Sequence, residues 1–77
     1  MNITQWLKTE HPELFKKFLR YAESDELYDE SKDIHKQDYT MLIGIISGFA
    51  SAHGESLNGC YDFESLKRLF DIIYNKQ

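Results

Sequence analysis

Between Tyr39 and Ala52 the chain runs fourteen residues without a charge, and Met41, Leu42, Ile43, Ile45, Ile46 and Phe49 crowd its middle. Such a segment has to leave water, and the rest of the chain has to supply the surface it leaves water against. It falls short of the ~20 apolar residues that a membrane-spanning helix needs, so a core element is the better account. The β-branched residues alone would allow a strand. The length of the run, and Gly44 and Gly48 spaced four apart, favour a helix from Tyr39 to about His53, opened by Asp38 or Gln37. Its apolar positions cover most of the circumference, which makes it the expected buried centre of the fold. Each interior glycine costs roughly 1 kcal/mol relative to alanine, so the side lined by Gly44, Ser47 or Gly48, and Ser51 should meet a neighbour closely.

The flanking segments read as the helices that cover it. Leu14, Phe15, Phe18, Leu19 and Ala22 recur at helical spacing, with Lys16, Lys17 and Arg20 opposite and Glu13 four residues before Lys17. Pro12 suits a first helical position and disfavours helix at the residue before it, so the spacing predicts a break at His11 and a helix from Pro12 to about Glu23. Upstream, Ile3, Trp6 and Leu7 form one side of a short helix opened by Asn2 or Thr4. Downstream, Gly54 reads as a helix stop and Asn58-Gly59 as a turn. Asp62 caps a last helix whose apolar face is Phe63, Leu66, Leu69, Phe70 and Ile73, with Glu64 and Arg68, and Lys67 and Asp71, at pairing distance. The expectation is an all-α single domain over residues 1–77, a compact bundle of about four helices around the buried Tyr39–His53 helix.

Ser24 to Gln37 is ambiguous. Ser24 is a candidate cap for a helix through Asp25 and Glu26, yet Leu27, Tyr28 and Ile34 make only a thin apolar stripe. Glu26, Asp29, Glu30 and Asp33 would then repel one another at spacings of three and four. An irregular acidic loop with a helical turn fits equally well.

Charge gives this segment its interest. The 77 residues carry thirteen acids and nine bases, a net of minus four. From Glu23 to Asp33 there are six acids (Glu23, Asp25, Glu26, Asp29, Glu30, Asp33) against Lys32 alone, a net of minus five. Taking that from the total leaves the other 66 residues at plus one. The chain is thus a nearly neutral body with one concentrated acidic segment, whose field steers basic partners and weakens with salt.

Signals for chemistry are sparse. His53, Cys60 and Asp62 lie near one another in sequence, but no CxxC, HExxH or EF-hand spacing is present, so neither a metal nor another cofactor is expected. A Cys60–His53 nucleophilic pair would lack an orienting group and an oxyanion site, and no enzyme activity is expected. Lys16, Lys17 and Arg20 beside an acidic run are a poor match to nucleic acid, and no direct nucleic-acid or membrane binding is expected. The single cysteine leaves no internal disulfide, which suits a reducing cytoplasm. Met1 to Trp6 has no basic region followed by an apolar stretch, the pattern of a signal peptide.

The segment from Tyr21 to Tyr39 remains. Tyr21, Tyr28 and Tyr39 are interleaved with the acids, and tyrosine is enriched at protein interfaces, where acids complement a partner's Lys and Arg. The leading expectation is therefore a non-enzymatic protein-binding inhibitor. In its physics it resembles immunity or antitoxin proteins, or phage-encoded inhibitors, that block the basic surface of a nuclease or another nucleic-acid enzyme. The contact would be carried by Glu23, Asp25, Glu26, Tyr28, Asp29, Glu30 and Asp33. The alternative is a small helical adaptor or oligomerisation module with an apolar face around Trp6, Phe15 and Phe63, or a homodimer through the Gly44/Gly48 side. Salt separates the two, weakening an acidic contact and sparing an apolar one.

Overall fold

A computed structural model covers residues 1–77 and contains four α-helices, α1 (Ile3–Glu10), α2 (Pro12–Ser24), α3 (Tyr39–Ala52) and α4 (Phe63–Asn75), with no strand. One 3₁₀ turn, Ile34–Lys36, lies in the connection between α2 and α3. The helix ends follow local chemistry. Asn2 opens α1 by a reciprocal pair: its side chain accepts from the Gln5 amide and its own amide donates to the Gln5 side chain, both at 2.9 Å. Pro12 starts α2 directly after His11, whose amide still donates to Leu7 O and whose carbonyl accepts from Phe15, so the break is a single residue wide. Gly54 (φ +75°) ends α3: its amide reaches Ser51 O at 3.0 Å and the Glu55 amide reaches Ala50 O at 2.8 Å. That is a Schellman closure, for which a positive φ is required.

Sixteen apolar residues are buried in one cluster to which every helix contributes. At its centre three phenylalanines meet, one each from α2, α3 and α4. Phe18 is edge-on to Phe49 at 5.2 Å between ring centres and to Phe70 at 5.5 Å. Rings prefer this edge-to-face arrangement, which adds to the benefit of burial. The α3 helix supplies Leu42, Ile45, Ile46, Phe49 and Ala50 to the core. Its burial is one-sided, however, with Met41 43% exposed and Tyr39 54% exposed.

The glycine side of α3 meets a neighbour closely, as expected. A Cβ built on Gly44 would lie 2.7 Å from Leu27 Cδ1, and one on Gly48 would collide with the Tyr21 hydroxyl. The neighbours are side chains of α2 and of the segment that follows it, so this side is covered from within the chain.

Several local expectations are corrected. Ser24 does not open a helix. It is the last residue of α2, and its hydroxyl donates to Tyr21 O at 2.7 Å while Asp25 turns extended. Glu13 pairs with Lys16 at 3.3 Å, and Lys17 instead reaches the Gln77 side chain. Glu64 pairs with Lys67 at 3.2 Å, and Arg68 donates to Ser65 Oγ. Asp71 is taken by His11 across the helix junction at 2.7 Å, so a tertiary partner displaces the helical one. No helix is long and apolar enough to cross a membrane.

Candidate protein-binding surface

The connection from Asp25 to Asp38 is an ordered loop, and its aspartates are what shape it. Asp25 Oδ1 accepts from the Leu27 amide at 2.9 Å, Asp29 Oδ1 from the Ser31 amide at 2.9 Å, and Asp33 Oδ1 from the His35 amide at 2.8 Å. Asp38 repeats the motif with Thr40 at 3.0 Å, at the start of α3. Each is an Asx turn, in which a short carboxylate replaces a backbone acceptor two residues on. The four-residue spacing of Asp25, Asp29 and Asp33 thus marks successive turns rather than one face of a helix.

One side chain ties these turns together. Gln37 is buried, its Oε1 accepts from the Asp29 amide at 2.8 Å, and its Nε2 donates to the carbonyls of Asp29 (2.9 Å), Lys32 (3.0 Å) and Asp33 (3.3 Å). Ile34 enters the core at 5% exposure, and Leu27 lies on Gly44. At the far end, Asn2 Nδ2 donates to His35 O at 2.9 Å, and Thr4 Oγ1 meets His35 Nδ1 at 2.8 Å, fastening the loop to α1.

On this frame the residues picked out for binding fall into two groups. Asp25, Asp29 and Asp33 spend a carboxylate oxygen on the backbone. Glu23, Glu26 and Glu30 are exposed, and their carboxylates pair with no base of the chain. None of the six acids forms an ion pair with a base of the chain. Tyr28 is half-buried against the core, and its hydroxyl is pushed above its ordinary value of 10.0. Burial is the first cause, and the charges of Glu23, Asp33, Asp29 and Glu30 follow. Four of the acids therefore act on one tyrosine, while Asp25 and Glu26 stand outside that group. Asp29 shifts the other way, below its ordinary 3.8, because the Ser31 hydroxyl and amide bond its charged form.

Gln37 was readable in the sequence only as a possible helix cap, and nothing local marked it as the centre of the loop. The Asp-x-X spacing was the available signal, since each aspartate stands two residues before the amide it accepts.

The other candidate groups lie apart. The three histidines have separate partners: His11 holds Asp71, His35 meets Thr4, and His53 Nδ1 donates to Phe49 O at 2.9 Å. Cys60 is exposed on the Asn58-Gly59 turn, where both turn residues have positive φ. Of the apolar trio, Phe15 is buried, while Trp6 and Phe63 pack half-buried against the core, so the three do not make an open face. Comparison of the chain with protein-family models, with curated proteins and with solved structures returns no match.

Proposed function

We propose that this protein is a non-enzymatic inhibitor that binds a partner protein through the acidic segment 23–33, the end of α2 and the loop after it. In character it is an immunity or antitoxin protein, or a phage-encoded inhibitor, and its target is the basic surface of a nuclease or another nucleic-acid enzyme. The observation that carries this reading is the pinning of the loop. Gln37, Ile34 and three Asx turns fix the loop before any partner arrives, and of the six unpaired acids along residues 23–33 four act on Tyr28. A preformed loop loses little entropy on docking, so more of the contact energy remains as affinity.

Clefts that hold phosphate are lined with Lys and Arg. A rigid carboxylate array enters the same field and keeps the nucleic acid out. Glu23, Glu26 and Glu30 are the contact acids, free of any task in the loop, and Tyr28 supplies apolar area among them. The same reading puts the protein in the cytoplasm, where exposed Cys60 stays a thiol.

The test is co-purification of the tagged chain from its native host, at low and at high salt, beside a Glu23→Lys/Glu26→Lys/Glu30→Lys variant. A basic partner should be held at low salt, released at high salt and missed by the variant, whose circular dichroism stays unchanged. A partner retained by the variant would sink the acidic surface. One that resists salt would favour an apolar adaptor instead.

A further inference from the structure

A second site adjoins the base of the acidic loop, where the starts of α1, α3 and α4 converge on the 3₁₀ turn. There the packing leaves a cavity of about 290 Å³. Its apolar lining comes chiefly from Ile3, Leu42, Phe63 and Leu66, with Met1 beside them, and Ile3, Leu42 and Leu66 are each at most 5% exposed. An enclosed apolar hollow of about 150 Å³ admits a benzene-sized molecule, so this one, nearly twice as large and open to solvent on one side, has room for a bicyclic body.

The polar side chains on its wall are Asn2, His35, Gln37 and Tyr39, and most of their polar atoms have a partner in the chain. Asn2 accepts from Gln5 and Thr4 and donates to His35 O. Gln37 is used at both ends by the loop, and the Tyr39 hydroxyl donates to Tyr61 O. Thr4 lies 2.8 Å from both Asn2 Oδ1 and His35 Nδ1. Its one proton goes to Asn2 Oδ1, which has none to give, so His35 Nδ1 must carry the hydrogen in that pair. In the neutral ring Nε2 is then an acceptor; it has no partner in the chain and is open to water. Stacking on Phe15, with ring planes 8° apart, fixes the imidazole.

We infer that this cavity binds a small, uncharged, bicyclic aromatic molecule bearing a single N–H or O–H donor, which it directs at His35 Nε2. The apolar walls supply affinity and the His35 acceptor supplies selectivity, because a donor-free analogue displaces water from that nitrogen without replacing its hydrogen bond.

Indole and 1-methylindole are the probes, titrated into the intact labelled protein and followed by NMR. Indole should move the methyl resonances of Ile3, Leu42 and Leu66 saturably, and should shift the His35 Nε2 nitrogen. The methylated analogue should bind roughly five- to tenfold more weakly, the loss of about one hydrogen bond, and leave that nitrogen in place. Absence of saturable shifts at those methyls, equal affinity for the two probes, or a free ring with its hydrogen on Nε2 would each overturn the site. The Glu23→Lys/Glu26→Lys/Glu30→Lys variant should bind indole unchanged, so this inference and the acidic-surface reading fail separately.

Discussion

Around Phe18, Phe49 and Phe70 the chain is held by area removed from water, whereas between Asp25 and Asp38 it is held by hydrogen bonds converging on the amide of Gln37. The two regions answer differently to change. Apolar burial is shared among many neighbours, is insensitive to pH and salt, and responds to lost volume. The loop has Ile34, Leu27 and Tyr28 as its apolar contacts with the body, and otherwise depends on directional bonds that can be cut singly. Six like charges close together cannot be buried unpaired, so the segment that carries them is shaped by bonds of this second kind.

Breaking the first region should have the largest effect. Phe18 has no exposed surface and touches both other rings of the trio. Phe18→Ala should cost about 3–5 kcal/mol, a large part of the roughly 4–12 kcal/mol that a domain of this size holds in total. Urea unfolding followed by circular dichroism should show a protein partly or wholly unfolded in buffer. A midpoint close to that of the unchanged chain would mean that the trio is not the centre of the core.

Gln37→Ala should cut the second region while sparing the first. Four hydrogen bonds are lost, but the freed groups of Asp29, Lys32 and Asp33 belong to exposed residues and regain water, which limits the cost to about 2 kcal/mol. Amide hydrogen exchange should speed up most between residues 27 and 37, with the cores of α2 and α4 less affected. Uniform acceleration would show that the loop and bundle open as one unit.

How much of each region was legible beforehand follows from the same contrast. Pro12, Gly54, Asn58-Gly59 and Asp62 act within a few residues of themselves, so the helix limits could be read locally, and the periodicity of Leu66, Leu69, Phe70 and Ile73 named the core. The loop could be located but not shaped, because its form depends on Gln37 reaching back eight residues and on Asn2 and Thr4 reaching His35 over more than thirty. The acids of the candidate surface were visible as charge. Their division into shaping aspartates and free glutamates was not, since like charges three and four apart read as helix repulsion until the Asx turns are seen. Gly44 and Gly48 announced a close approach without naming Leu27 and Tyr21 as the occupants.

Those two glycines sharpen the comparison, since one supports the loop and the other the core. A methyl at Gly48 meets Tyr21, a rigid ring packed against Phe49, whereas one at Gly44 meets the end of Leu27, a side chain 40% exposed and free to turn. Both substitutions gain about 1 kcal/mol of helix propensity. Gly48→Ala should still be destabilising by about 1 kcal/mol net, because the ring has to move. Gly44→Ala should be neutral or slightly stabilising. Thermal melting should therefore place Gly48→Ala below the unchanged protein and Gly44→Ala at or slightly above it, and the reverse order would mean that Leu27, not Tyr21, is the fixed contact.

The smallest effect expected is a dependence on acid that separates the regions by residue. Asp62 at the start of α4 is held below its ordinary value of 3.8, first by the Ser65 hydroxyl and then by the Ser65 amide, with Arg68 helping, and Asp29 in the loop is lowered in the same way by Ser31. A lowered folded value means that, as the pH falls, the unfolded chain binds the proton before the folded one does. The stabilisation is complete above the ordinary carboxylate range and is lost as the pH falls through the lowered folded value. Both carboxylates are exposed, so water screens much of the effect and the slope should be shallow. In urea midpoints taken from about pH 6 down to about pH 2, Asp62→Asn should flatten the acid limb of global unfolding. Asp29→Asn should leave most of that limb in place and instead raise exchange at Ser31 and its neighbours, because its bonds hold the loop and not the bundle. An equal change of global slope from the two variants would show that the loop unfolds only with the core, and would remove the distinction between a region fixed by burial and a surface fixed by hydrogen bonds.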